Sequence, residues 1–122
     1  MNSDNVFGEA IYTYTRKQAI DDGVLVDLSQ VETMRAHWKF PVACTAEVWA
    51  MIERALEEPC QDLNGICHDI SCLAKHEIGK AGPSEVIFFS VIIARKKQAL
   101  KLHIGPGDTP APVLTLMYPH ED

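Results

Sequence analysis

VIFFSVIIARKKQALKLHI, residues 86–104, decides how this chain folds. Val86 to Ala94 is rich in β-branched and aromatic residues and apolar at nearly every position. That composition suits a strand covered on both sides or paired between two others. ALKLHI then alternates, Leu100, Leu102 and Ile104 on one side and Lys101 and His103 on the other, so this strand keeps one face in the core and one at water. RKKQ between them is polar and reads as the hairpin connection. After Gly105-Pro106-Gly107-Asp108 the run VLTLMY supplies another strand, and the last third is expected to be a three-stranded antiparallel meander.

Upstream the period turns helical. Thr45 can cap a helix from Ala46 to Glu57, with Val48, Trp49, Met51, Ile52, Ala55 and Leu56 on one side and Glu47, Glu53, Arg54 and Glu57 on the other. Pro59 ends it. Asp62, Asn64 and Gly65 turn the chain into a second amphipathic helix whose apolar residues, Ile66, Ile70, Leu73 and Ala74, form the face to be buried. Nearer the N-terminus, AIYTY alternates like a short strand, and Thr15 with Gln18 has the spacing of a capping box opening a short helix that Gly23 closes. VLVDL reads as another short strand. Ser29 with Glu32 repeats the capping-box spacing ahead of a helical stretch over 30–37, and Pro41 then forces Phe40 into an extended conformation. Helical signals early and strand signals late make the fold class α+β: N-terminal short strands and helices, then two central amphipathic helices packed on the C-terminal meander.

The chain has 122 residues, 47% of them hydrophobic, and no linker-like stretch or repeat divides it, so residues 1–122 form one domain able to bury a core without staples. Its net charge of −6 argues against a general grip on nucleic acid. Arg16 with Lys17, and Arg95 with Lys96 and Lys97, are local basic spots of the kind that a helix start or a hairpin turn leaves in water. The apolar run at 86–94 is far shorter than the roughly 20 residues of a membrane-crossing helix. MNSDNVFGEA lacks the basic start and apolar middle of a secretory signal, so a cytoplasmic protein with four free cysteines is expected.

HDISCLAKH, residues 68–76, carries the main candidate ligands. On a helix, His68, Cys72 and His76 drift by only about 40° per step and share one stripe. The stripe lies roughly opposite Ile66, Ile70, Leu73 and Ala74 and faces away from the core. Three donors in line along one helix cannot surround a tetrahedral ion without help from elsewhere, so an outer or interface face is the plainer reading, and no cofactor is expected. The HIGPGD loop exposes amides near Gly105 and Gly107 that could hold an anion, although a hairpin needs glycine there for positive φ in any case. Cys44, just before the Thr45 cap, could have a thiol activated by the helix start, while burial would make it inert. Tyr12, Tyr14, Arg16 and Gln18 gather the residue types that interfaces favour, against the simpler role of covering a core edge.

IYTYTRKQAIDDGVLVDLS, FPVACTAEVW and LKLHIGPGDTPAPVLTLMYP, three blocks in this order, resemble a family of small proteins of unknown function from bacterial, plasmid and phage genomes. Tyr12 to Gly23 and Gly105 to Asp108 carry the signatures. The resemblance implies a mobile-element accessory protein without an assigned activity. It also implies bulky apolar residues in the helix after Asp62, where this chain has His68 and Cys72. The expectation is a non-enzymatic module that binds a host or phage protein, with an open sheet edge that could support a homodimer. Two alternatives stand beside it. One is a small-ligand or nucleotide module built on Tyr12, Tyr14, Arg16, Gln18, Gly105, Gly107 and Asp108, and the other a metal-binding protein or hydrolase built on His68, Cys72 and His76.

Overall fold

The computed structural model describes residues 14–122, so the expected strand over AIYTY, with Tyr12, lies outside the described residues. Helix α1 (Arg16–Asp21) opens with the expected capping box: Gln18 N–H donates to Thr15 Oγ1 (3.0 Å) and Thr15 N–H donates to Gln18 Oε1 (2.8 Å). Asp22 caps its end and Gly23 follows with φ +80°, a conformation that costs glycine nothing. Strand β1 (Leu25–Asp27) leads to helix α2 (Glu32–His37).

Ser29 does not cap α2, contrary to the spacing. Val31 holds the cap position without a side-chain bond, and the Ser29 hydroxyl instead accepts from Val42 N–H at 3.0 Å. The reason is the neighbouring strand β2 (Val42–Thr45), which the sequence reading missed and which lies beside the turn containing Ser29. Four residues are too few to show a period, and a preceding proline disguises the start.

Thr45 ends β2 and caps helix α3 (Ala46–Ala55), its hydroxyl accepting from Val48 N–H at 3.3 Å. The helix stops at Ala55, short of the expected Glu57, but buries the expected face through Val48, Met51, Ile52 and Ala55. Helix α4 (Leu63–Ala81) is capped by Asp62, whose carboxylate accepts from Gly65 N–H at 2.7 Å. Its buried face is Ile66, Cys67, Ile70, Ser71 and Ala74. Leu73, expected inside, is 38% exposed because it sits about 90° from the centre of that face.

Strands β3 (Val86–Ile93), β4 (Lys96–Pro106) and β5 (Pro112–Met117) follow. The turn between β3 and β4 is Ala94-Arg95, with φ of +50° and +66°, as a two-residue hairpin of the primed kind requires. RKKQ is therefore not the connection. Lys96, Lys97 and Gln98 already pair with Ile93, Ile92 and Val91.

The fold is α+β, but the sheet is not a three-stranded meander. Among the described residues it has five strands in the order β1-β2-β5-β4-β3 and is mixed, because β2 runs parallel to β5 while the other neighbours are antiparallel. α3 and α4 cover one face, where Ile87, Phe89, Val91, Leu100, Leu102, Leu114 and Leu116 meet Val48, Ile52, Ile66, Cys67 and Ile70. α2 packs against α4. β3 is an edge strand, buried on one face only: Phe88, Ser90 and Ile92 point outward and are exposed. That corrects the expectation of a strand covered on both sides. Among the described residues, no helix is long and apolar enough to cross a membrane.

Ile52 is wholly buried between α3 and the sheet. Truncation to alanine removes packed methylenes and leaves a cavity, so Ile52→Ala should lower the free energy of unfolding in urea by about 2–5 kcal/mol. Val24→Ala, at an exposed loop position, should change it by less than about 0.5 kcal/mol.

Candidate functional site

Two places collect the residues singled out in the sequence. At the first, the Asp108 carboxylate accepts from the backbone N–H groups of Arg16 (2.7 Å) and Lys17 (3.1 Å), so an acid sits on the positive end of α1. Arg16 reaches across the outer face of the sheet, donating from Nη1 to Thr115 Oγ1 and from Nη2 to the Leu114 carbonyl, both at 2.7 Å. Burial lowers the pKa of its half-buried guanidinium, and Asp27 and Asp108 oppose the shift. Tyr14 donates its hydroxyl to Asp22 Oδ2 at 2.7 Å, a bond that raises the tyrosine pKa.

These residues and the 105–108 turn do come together, around a shallow cleft of about 410 Å³ lined by Tyr14, Arg16, His103, Gly107, Asp108 and Thr115. Tyr14, Arg16, Asp108 and Thr115 there are already partnered within the chain. Gln18 Oε1 is held by the cap, Asp108 by α1 and Arg16 by β5. Nor is HIGPGD a loop of free amides. Gly105 belongs to β4, opposite Val113, and Gly107 N–H donates to the Ala111 carbonyl at 3.3 Å. Neither glycine has positive φ. Gly107 is needed for space instead, since a Cβ there would meet Val113 Cγ1 at 2.8 Å. The arrangement clasps α1 to β5 and the 105–108 turn, and its donors are spent on the chain itself.

The second place is built where α2 meets α4. Thr33 Oγ1 donates to Asn64 Oδ1 at 2.8 Å, and Trp38 Nε1–H donates at 2.9 Å to the fully buried Ser71 hydroxyl, which donates in turn to Met34 Sδ at 3.4 Å. These bonds fix both ends of α2 over α4 and set His37 beside His68. His37 Nε2 and His68 Nδ1 are 3.2 Å apart, and His68 Nε2 lies 3.5 Å from Cys72 Sγ. Lys75 Nζ approaches His37 Nδ1 at 3.3 Å. Because an ammonium only donates, the direction of the chain is fixed: His37 Nδ1 accepts, His37 Nε2–H donates to His68 Nδ1, and His68 Nε2–H points at the Cys72 sulfur. Desolvation, then Lys75 and His68, lowers the His37 pKa.

His68 and Cys72 are exposed, as the helical stripe required, and they are neighbours. His76 is not part of the group. His37 takes its place, so that one donor atom from each of His37, His68 and Cys72 falls within 4.8 Å of the others. Nothing local marks His37, which lies 31 residues before His68 and comes near only because α2 packs on α4.

All four cysteines are free. Cys60 and Cys72 are exposed, whereas burial pushes the Cys44 thiol up to about 12 and the Cys67 thiol up to about 11. The helix start of α3 therefore does not activate Cys44. A thiol kept neutral in the folded chain stabilises it fully below the ordinary value of about 9, and this contribution disappears as pH rises through the folded value. Between the ordinary and the folded value each buried thiol should cost up to about 1.4 kcal/mol of stability per pH unit. Melting temperature should fall between pH 9 and 11, and less steeply in Cys44→Ala than in the unmodified chain. Equal slopes in the two proteins would show that Cys44 ionises without resistance.

No family model, curated protein or solved structure matches the chain. Its function has to be argued from the clasp, the histidine–cysteine group and the open strand β3.

Proposed function

We propose that this protein is a non-enzymatic protein-binding module whose contact surface is the edge strand β3. The observation that carries this reading is that Phe88 and Ile92, both 60% exposed, stand on the outer face of a strand at the end of the sheet. Solitary exposed apolar residues are ordinary, but two on one unguarded edge are not. VIFFSVII carries no charge and no proline, the usual guards of an edge.

The backbone supports the same reading. Ile93 and Lys96 flank a two-residue turn and therefore exchange hydrogen bonds, which makes Val91–Gln98, Phe89–Leu100 and Ile87–Leu102 the bonded pairs of the ladder. The N–H and C=O groups of Phe88, Ser90 and Ile92 then point to the open side. Val86, next in that row, has both backbone groups engaged by the Ser84 hydroxyl, at 3.3 and 2.8 Å. Among the described residues nothing pairs with the outer edge of β3.

The partner that fits is a second copy. Antiparallel pairing about a twofold axis through Ser90 sets Phe88 opposite Ile92 of the other copy on the outer face, and Phe89 opposite Val91 on the inner face. Every pair is apolar except the serines on the axis, and the open residues bond across it, Ser90 to Ser90 and Phe88 to Ile92 of the other copy. Two five-stranded sheets become one of ten strands. The resemblance of the chain ends to mobile-element accessory proteins supports a setting in the cytoplasm, with the dimer as the unit that meets a host or phage protein.

Light scattering coupled to size exclusion, over loadings from about 1 to 100 µM, should give a mass rising from the 13.6 kDa of the chain to twice that value. Ile92→Lys should remain at the mass of one chain with an unchanged circular dichroism spectrum. A single-chain mass at every loading, or an Ile92→Lys protein that still doubles, would remove β3 as the contact surface.

A further inference from the structure

We propose that His37, His68 and Cys72 form a three-ligand site for a borderline-soft divalent cation of the zinc type. The donor set is two imidazoles and one thiolate, which such ions prefer over the oxygen donors that calcium and magnesium take. One donor atom from each residue lies within 4.8 Å of the others, so small rotations of exposed side chains bring them to a common centre. The ligands come from two elements, which answers the objection that one helix cannot surround an ion. His68 and Cys72 are one turn apart on α4, and His37 comes across from the end of α2.

Hydrogen bonds tie down the support beneath the group, and its rim is exposed. Trp38, next to His37, is tied to the buried Ser71, and Ser71 lies next to Cys72 on α4. Thr33 is tied to Asn64 one turn before His68. A cation at this point has two things to displace. The Lys75 ammonium must leave His37 Nδ1, a move open to an exposed side chain, and His68 must exchange its two contacts for one ligand nitrogen. Binding replaces the Cys72 S–H bond with a sulfur–metal bond and releases the proton to water. Three protein ligands leave the fourth position to water, with His76 one turn beyond Cys72 and outside the set.

Cobalt(II) titrated into the reduced, full-length protein provides the readout. One equivalent per chain should give the near-ultraviolet thiolate-to-metal band and the visible bands of a tetrahedral ion, and zinc should bleach both. His37→Ala and Cys72→Ser should weaken cobalt binding by at least about a hundredfold, beyond what loss of an outer-shell partner costs. Cys60→Ser and His76→Ala should leave the spectrum and stoichiometry unchanged. All four positions are at the surface or half-buried, so circular dichroism should match the unmodified chain throughout. The absence of a saturable thiolate band overturns the site. So does a band that survives His37→Ala, or one that His76→Ala or Cys60→Ser abolishes. None of these results bears on β3, whose test is mass.

Discussion

The parallel pairing of β2 with β5 is the constraint on which the rest of the architecture depends. Val42 lies beside Leu114 and Cys44 beside Leu116, so a four-residue strand joins β1, from the first half of the chain, to the three strands of the last third. Its residues are buried, and the strand continues at Thr45 directly into α3, which fixes where that helix starts over the sheet. Two further consequences follow from the chain between the paired strands. α3 and α4 are part of the long crossover from β2 to β5 and lie on the same face. With β2 on one side of β5 and β4 on the other, the last strand at that end of the sheet among the described residues is β3.

On the opposite face, α1 does what the crossover helices do on theirs, with polar groups in place of a broad apolar stripe. Ala19 is its one buried residue, and the helix is held by Asp108 at its start and by Arg16 on Thr115 and Leu114. This is why the residues that look most like a binding cluster are occupied. Their chemistry is directed at the fold, and the cleft beside them is left with few unpartnered polar groups. Among the described residues the outer face is covered near β5 and bare near β3, and the bare part carries Phe88 and Ile92.

Much of this was legible in the sequence wherever the signal was local. The Thr15, Thr45 and Asp62 caps, the apolar faces of α3 and α4, and the three C-terminal strands all follow from spacing within a few residues. Failures occurred where a distant partner decided the outcome. Ser29 has capping-box spacing, but β2 claims its hydroxyl. Val86 to Ile93 is apolar at both alternations, which reads as burial on both faces, yet its position at the edge leaves one set at the surface. The metal-ligand stripe was seen as His68, Cys72 and His76, whereas packing of α2 on α4 substitutes His37 for His76. Helical spacing could not reveal a donor 31 residues away.

The proposed dimer requires that the outer side of β3 be occupied by a second copy. Residue-resolved amide hydrogen exchange reads this directly, because Ile87, Phe89 and Val91 bond inward to β4 while Phe88, Ser90 and Ile92 bond outward. The inward amides should exchange slowly at every protein concentration. The outward amides should be slow at high concentration and become fast on dilution, in step with the loss of the dimer. Outward amides that exchange fast throughout, or that stay protected however dilute the protein, would contradict pairing between copies.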